Sequence, residues 1–194
     1  MHHSILTNSC VDIDGVLCRD PTPEENDDGD RYREFLVNVK PLVVPTKPIG
    51  WLVTCRLEKY RELTEMWLKK HGIQYNYLIM MNLPNKETRV ASGGHARFKA
   101  EIYKSVNASL FIESSYEQAQ EIVRLTGKPV FCVETGQMIN PGFAMKNYDR
   151  GRRLAKEMVH HPINSSIRVL RFLKRKLQTS YWKISAKRKK RGQA

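Results

Sequence analysis

The sequence lacks the features that mark membrane-spanning, secreted and zinc-binding proteins. No apolar run approaches the roughly 20 residues that a membrane-spanning helix needs. The chain does not open with a basic segment followed by an apolar one, so no secretory signal is predicted. Its four cysteines form no C-x-x-C pair and no Cys/His cluster with zinc spacing. These absences favour a cytoplasmic protein with reduced thiols.

Acidic residues are almost missing from the C-terminal part of the chain. Residues 150–194 hold 15 of the 33 Lys and Arg residues but only one acid, Glu157. Residues 1–149 keep 18 basic and 19 acidic residues, so the net charge of +13 belongs to the tail. We therefore predict one near-neutral domain over residues 1–149, with the charge balance of an ordinary enzyme, and a basic tail over residues 150–194.

Short apolar runs alternate with helical patterns through residues 1–149. Strands are predicted at 4–12, 49–54, 77–80, 110–112 and 130–133, and helices at 32–40, 58–71, 96–106 and 116–125. This alternation predicts an α/β fold of three layers, with a mostly parallel, Rossmann-like, five-stranded sheet and helices on both faces. Residues 19–30 are polar and contain two prolines, which predicts an exposed loop.

Asp12 and Asp14 stand two residues apart at the end of the first predicted strand, and Gly15 follows directly. Side chains at this spacing share one face of a strand, and the glycine allows the chain to turn. Two crowded carboxylates are typical of a metal site or of a nucleophile with an acid/base partner. An Asp-rich turn without chemistry is the alternative for this motif taken alone.

Three further polar residues are predicted at the same edge of the sheet. Thr54 ends the second strand, Glu113 ends the fourth, and Lys99 lies near a helix start. In open α/β sheets, ligands bind at the carboxyl ends of the strands. Each residue also has a plain alternative: Thr54 as a helix cap, Lys99 as a solvated lysine, and Glu113 as a loop acid.

Four ordered segments together resemble the haloacid dehalogenase superfamily, whose members are mostly phosphatases. The resemblance covers roughly residues 4–135, and the segments are Asp12-x-Asp14-Gly15, Val53-Thr54-Cys55-Arg56, Phe98-Lys99-Ala100-Glu101 and Phe111-Ile112-Glu113-Ser114-Ser115. It implies a magnesium-dependent phosphatase acting through an aspartyl-phosphate. Asp12 is then the nucleophile and Asp14 the general acid/base.

The resemblance also implies which residues hold the phosphate and the metal. Thr54, Cys55 and Lys99 match the phosphate-binding positions, although Cys55 also fits simply as a small residue. The positions that match Mg²⁺ ligands are Asp12, the main-chain carbonyl of Asp14, Glu113 and Ser114. Arg56 is predicted either to bind substrate or to form a salt bridge with a neighbour such as Glu58.

Two positions depart from the pattern of the superfamily. Val16 stands where threonine is usual, a change of little consequence. Ser114 stands where a second acid is common, and a hydroxyl is a poorer magnesium ligand than a carboxylate. This leaves a catalytically weakened module, which binds a phosphorylated ligand or nucleic acid, as the alternative to an active enzyme.

No segment is long enough for a large cap domain, which predicts an open site and allows bulky substrates. Residues 60–68, followed by Gly72, and the helix carrying Lys99 are similar to polynucleotide 3′-phosphatase domains. An end-processing phosphatase is thus a further alternative. The domain also resembles the phosphatase-like half of some microbial phosphoribosyltransferase fusions, but no phosphoribosyl-diphosphate loop is present.

The tail combines an apolar stripe with a basic face. Apolar residues recur at spacings of three and four over 167–184, and Lys and Arg dominate the opposite face and continue to residue 191. The pattern predicts a basic amphipathic helix with a disordered end. Three uses are open: packing on the domain, binding an anionic membrane surface as a peripheral protein, or binding nucleic acid phosphates.

Overall fold

A computed structural model describes Met1 and residues 3–142 of the chain. The predicted tail at 150–194, and with it the boundary at residue 149, lies outside the described residues. No helix in the part of the chain that is described is both long and apolar enough to cross a membrane.

The described residues form one mostly parallel sheet with helices between its strands. The strands are β1 (Ser9–Val11), β2 (Ile49–Leu57), β3 (Tyr75–Met81), β4 (Leu110–Glu113), β5 (Val130–Cys132) and β6 (Gln137–Ile139). The helices are α1 (Asp30–Asn38), α2 (Arg61–Lys70), α3 (Lys86–Ala91), α4 (His95–Ser105) and α5 (Tyr116–Thr126). The strand order is β3-β2-β1-β4-β5-β6, and only the β5–β6 pair is antiparallel.

The α/β class and the mostly parallel sheet are as the sequence predicts, but the strands differ in number and extent. β2 runs to Leu57, beyond its predicted end at residue 54. The sheet has six described strands instead of five, because the short β6 pairs with β5 after a turn at Gly136. The first strand starts only at Ser9, since residues Ser4–Asn8 form a 3₁₀ helix. That short helix is mostly exposed, and its apolar residues Ile5 and Leu6 mimic the start of a strand in sequence.

The central strands β1, β2 and β4 are buried on both faces, as a covered parallel sheet requires, whereas β3 and β6 at the edges have exposed residues. Alternate residues of β1 point to opposite sides, with Val11 in one apolar cluster and Cys10 in the other. The first cluster includes apolar residues of α1 and α2, and the second includes residues of α4 and α5. The three-layer arrangement is therefore observed, and it leaves the carboxyl edge of the central strands β1, β2 and β4 free to form a site.

Trp67 shows how α2 is fixed on its side of the sheet. Its indole is almost fully buried, and its Nε1–H donates a hydrogen bond of 2.7 Å to the main-chain carbonyl of Val39, just after α1. A buried indole needs such an acceptor. This hydrogen bond links α2 to the end of α1.

Candidate active site

Lys99 joins two of the strand ends through ion pairs. Its Nζ donates to Asp12 Oδ2 at 2.6 Å and to Glu113 Oε2 at 2.7 Å, and a third bond of 3.0 Å goes to Gln118 Oε1. An ammonium has three protons, so these three hydrogen bonds engage all of them. Lys99 is 2% exposed. The sequence expectation that Asp12, Lys99 and Glu113 converge is thus met, and the alternative of Lys99 as a solvated lysine is excluded.

The ion cluster holds two carboxylates for one ammonium, which leaves an excess of buried negative charge. Burial raises the pKa of Asp12, Lys99 opposes that rise, and the charges of Glu113 and Asp14 add to it. Burial lowers the pKa of Lys99, but its two carboxylate partners outweigh burial and hold that pKa above its ordinary value. At neutral pH Lys99 is therefore charged, and the raised pKa of Asp12 reflects how strongly this carboxyl is buried.

Asp14 is held by a buried arginine. Arg56 donates from Nη2 to Asp14 Oδ1 at 2.6 Å and from Nε to Oδ2 at 3.1 Å. The Arg56 side chain is fully buried, and its Nη2 also contacts the Cys18 thiol at 3.3 Å. Of the two sequence interpretations of Arg56, a salt bridge exists, but its partner is Asp14. Glu58 pairs with Arg61 instead.

Glu113 and Ser114 form a compact turn at the end of β4. The second carboxylate oxygen of Glu113 accepts hydrogen bonds from the main-chain N–H groups of Ser114 and Ser115, at 3.0 and 3.2 Å. The Ser114 hydroxyl donates to the same oxygen at 3.2 Å. Ser114 therefore supports the Glu113 carboxylate and fixes its direction.

The Asp14-Gly15 turn packs directly against Ser114. Gly15 has a φ of +74°, and a Cβ built on it would stand 2.4 Å from Ser114 Cβ and 2.9 Å from Asp20 Oδ2. No side chain fits in that space. The glycine thus brings the loop after β1 against the loop after β4, which the sequence motif alone did not show.

Thr54 and Cys55 lie in β2 and border the same cavity as Asp12. Thr54 is fully buried, and its Oγ1 accepts the main-chain N–H of Arg56 at 3.2 Å. No helix begins there, since β2 continues to Leu57, so Thr54 is not a helix cap. Burial raises the pKa of Cys55 to about 12, so its thiol is protonated at neutral pH and is not a nucleophile.

A cavity of about 200 Å³ lies beside Asp12 and Asp14. Besides the residues already predicted, it is lined by side chains that the sequence did not single out: Asp20, Pro21, Asn26, Tyr32, Arg89, His95 and Gln118. Three of these, Asp20, Pro21 and Asn26, come from residues 19–30, which the sequence predicts only as an exposed loop, and Tyr32 comes from the first turn of α1. The two prolines and the acids of this loop gave no sign that it turns back toward the strand ends.

The loop over residues 19–30 and helix α3 meet beside the cavity. Arg89 Nη2 donates to Asn26 Oδ1 at 3.2 Å, and the Lys86 ammonium donates to the main-chain carbonyl of Asn26. Asp28 accepts from the Lys86 main-chain N–H at 3.0 Å and from Lys59 Nζ at 2.8 Å. These two segments, each too short for a folded cap, together form a partial cover of the site.

The side chains at this site match the ligands of a magnesium ion only in part. In the described region, no three His, Cys, Asp or Glu side chains converge as a metal cage. Magnesium, however, is commonly bound through one or two carboxylates, with waters and substrate phosphate completing its shell. Asp12 and Glu113 already converge on one positive charge, that of Lys99. Asp12 and Glu113 are therefore the two carboxylates that a magnesium ion of the water-rich type would use.

Comparison with known proteins adds little to this geometry. No family model and no curated protein matches the chain. Among solved structures, the chain is similar to one in the Pnkp1/Rnl/Hen1 RNA repair complex, with 18% identity and a TM-score of 0.46. The alignment covers 69% of this chain and 44% of the other, so this chain spans less than half of that neighbour. A similarity at this level assigns no activity.

Proposed function

We propose that this chain is a magnesium-dependent phosphatase that hydrolyses phosphomonoesters through an aspartyl-phosphate on Asp12. The observation that carries the proposal is the buried ion cluster at the carboxyl edge of the sheet, in which Asp12 and Lys99 line a cavity and Glu113 lies behind them. Buried ions are costly, and clusters of this kind in a cleft are typical of catalytic sites.

The chemistry proposed for the two aspartates is the one that the sequence resemblance implies. An oxygen of the Asp12 carboxylate bonds to phosphorus as the ester oxygen departs. Asp14, in its protonated form, gives its proton to the departing oxygen. In the second step Asp14 takes a proton from water, and the resulting hydroxide attacks phosphorus and releases Asp12 and inorganic phosphate. In the described structure Asp14 is hydrogen-bonded to Arg56, so the proposed transfers require this contact to open.

The remaining residues hold charge in place. Lys99 keeps Asp12 oriented and offsets negative charge that builds up on the phosphoryl oxygens. The Thr54 hydroxyl and the main chain at Cys55 border the same cavity and supply polar contacts. Magnesium, when bound, offsets the charge of the ester and makes phosphorus more open to attack. Asp12, Glu113 and the Asp14 carbonyl would hold it.

The size of the cavity limits how the substrate enters. About 200 Å³ is less than the ~300–1,000 Å³ of sites that bury a whole drug-sized ligand. The phosphoryl group and its immediate neighbours therefore fill the cavity, and the rest of the substrate stays outside. Small esters and the phosphorylated end of a larger molecule both satisfy this limit.

Replacing Asp12 tests the proposal. With para-nitrophenyl phosphate and magnesium, Asp12→Asn is expected to lower kcat on the order of a thousandfold or more, because an amide is a very poor nucleophile toward phosphorus. Asp30→Asn changes the same charge at an exposed position of α1 and serves as the matched control. Full magnesium-dependent activity in Asp12→Asn would refute the nucleophile assignment.

A module that binds a phosphorylated ligand without turnover is the second candidate. The observation that favours it is the buried Asp14–Arg56 pair, which holds the proposed acid/base in a fixed contact. A panel of sugar phosphates, nucleotides and 3′-phosphorylated oligonucleotides, with magnesium, separates the two. Binding without hydrolysis across the panel supports the module. A preference for oligonucleotide ends supports an end-processing phosphatase, as the sequence resemblance suggests.

A further inference from the structure

Arg89 is a buried arginine that has no carboxylate partner among the described residues. It belongs to α3, is 8% exposed, and lines the same cavity as Asp12. Its Nη1 donates to the main-chain carbonyl of Cys55 at 3.1 Å and its Nη2 to Asn26 Oδ1 at 3.2 Å. Both acceptors are neutral, and the Nε–H is buried without an acceptor.

This environment leaves a permanent charge without a counterion. A guanidinium keeps its proton in proteins, so burial cannot neutralise it. A buried charge is costly unless it is paired. The other buried arginine, Arg56, obeys this rule through Asp14. Arg89 is held by neutral partners at the wall of a cavity, namely the Cys55 carbonyl, the Asn26 amide and the Tyr32 hydroxyl. This arrangement is expected when the counterion arrives with a ligand.

His95 provides a second polar group in the same cavity. It opens α4, and its Nε2 is buried without a hydrogen-bond partner. Burial lowers its pKa, and the charges of Arg89 and Lys99 lower it further, so the imidazole is neutral at pH 7. A neutral imidazole still has one N–H to donate to an anion.

We propose that Arg89, assisted by His95, binds a second anionic group of the substrate, next to the phosphoryl group that faces Asp12. The inference rests on the proposed function and deepens it: the preferred substrates carry a phosphate or carboxylate close to the phosphomonoester. The planar fork of arginine suits both groups, because each presents two oxygens at matching spacing. The cavity has a volume of about 200 Å³, several times the ~30 Å³ that one water occupies. It therefore has room for more than a single phosphoryl group.

Binding of inorganic anions tests the inference without catalysis. Calorimetry with the full chain, without added metal, compares inorganic pyrophosphate with inorganic phosphate. The wild type is expected to bind pyrophosphate roughly tenfold or more tightly, the value of one charge-assisted contact. In Arg89→Gln this ratio falls toward one. Glutamine retains an N–H that can bond the Cys55 carbonyl, which protects the fold. Arg97→Gln, at an exposed position of α4, is the matched control and keeps the ratio.

Arg89→Lys keeps the test decisive if the glutamine variant does not fold. Lysine retains the charge but not the fork, so the ratio is expected to lie between those of the wild type and one. A wild type without preference for pyrophosphate overturns the inference. A ratio unchanged in the folded Arg89 variants, or lost equally in Arg97→Gln, overturns it as well.

Turnover separates this inference from the proposed function. Three substrates are compared. Para-nitrophenyl phosphate has no second anionic group, phosphoglycolate carries a carboxylate, and a nucleoside 3′,5′-bisphosphate carries a second phosphate. We expect the kcat/KM advantage of the doubly anionic esters to shrink in Arg89→Gln, chiefly through KM. Turnover without any such advantage in the wild type overturns the anion subsite alone. An intact pyrophosphate ratio without turnover of any ester overturns the phosphatase alone.

Discussion

At the scale of single residues, Lys99 links two strand ends and is also proposed to act on the phosphoryl group. Its ammonium satisfies two buried carboxylates from different strands, and its pKa rises accordingly. The same charge lies at the cavity where a phosphoryl group is proposed to bind. A residue of this kind couples stability to function, because removing it leaves Asp12 and Glu113 buried without their counterion.

Replacing Lys99 by methionine is therefore expected to lower the free energy of unfolding by about 3–5 kcal/mol, the cost of breaking a buried ion pair. Urea unfolding of the full chain measures this change. Lys104→Met alters the same helix at an exposed position and is expected to change stability by less than ~0.5 kcal/mol. Equal losses in the two variants would show that the buried carboxylates do not depend on Lys99.

Gly15 is required both for its positive φ and for the close approach of Ser114. Comparison with Gly127 separates these two effects. Gly15 and Gly127 both have positive φ, +74° and +66°, but of the two only Gly15 has neighbouring atoms within 4 Å of the position that a Cβ would take. Gly15→Ala is expected to cost about 1–3 kcal/mol more than Gly127→Ala, because of the clash with Ser114. Thermal unfolding of both variants measures the difference, and similar Tm values would contradict a tight Gly15–Ser114 contact.

At the scale of elements, the cover of the site depends on few contacts. Residues 19–30 contain no regular helix or strand before α1 begins at Asp30, and Asp28 supplies much of their attachment. It accepts hydrogen bonds from Lys59, from Tyr60 and from the main chain at Lys86. Asp28 therefore joins this loop to the connection after β2 and to the start of α3.

Replacing Asp28 by alanine is expected to loosen the loop while the sheet stays intact. Each charged hydrogen bond contributes about 1.5–3 kcal/mol, so local opening becomes much more frequent. Hydrogen exchange by mass spectrometry should show faster exchange in peptides over 19–30 and no change over β1 or β4. Glu34→Ala, an exposed acid on α1, is the control. Unchanged exchange over 19–30 would show that Asp28 does not hold the loop.

At the scale of the whole molecule, charge divides the chain more sharply than any motif. Residues 1–149 carry nearly balanced charge, and the positive charge lies in residues 150–194. A concentration of Lys and Arg releases counterions when it meets a polyanion, which makes binding strong at low salt and weak at high salt. This property is independent of the site at the edge of the sheet.

Removing residues 150–194 is expected to abolish binding to single-stranded oligonucleotides and to anionic lipid vesicles, because the net charge falls from strongly positive to about neutral. Fluorescence anisotropy measures oligonucleotide binding, and co-sedimentation measures vesicle binding. Both are carried out between about 50 and 200 mM salt, which is on the order of physiological ionic strength. Binding that survives the truncation would place the polyanion site in the domain. Binding to only one of the two ligands by the full chain would decide between the open uses of the tail.

The sequence by itself determined the class of fold and the principal cluster of the site. Apolar runs and helical patterns are local properties, so the strands around Leu52 and Phe111 and the helices α2 and α5 could be read directly. Asp12, Thr54 and Glu113 were predictable because parallel strands end at one edge. Local patterns misjudged Ser4–Asn8 and the length of β2, since exposure and pairing depend on distant residues.

Only the tertiary structure decided which charges meet. Lys99 lies 87 positions from Asp12, and Arg56 lies 42 positions from Asp14, so neither pairing has a signal in sequence spacing. The burial of Arg89 beside Asn26 depends on the short helix α3 and on the loop over residues 19–30, neither of which has a periodic pattern in the sequence. Such contacts arise from long-range packing of irregular segments, whose order comes from hydrogen bonds to other elements. The sequence motif thus identifies Asp12 and Asp14 as candidate acids, and the fold determines which charged residues pair with them.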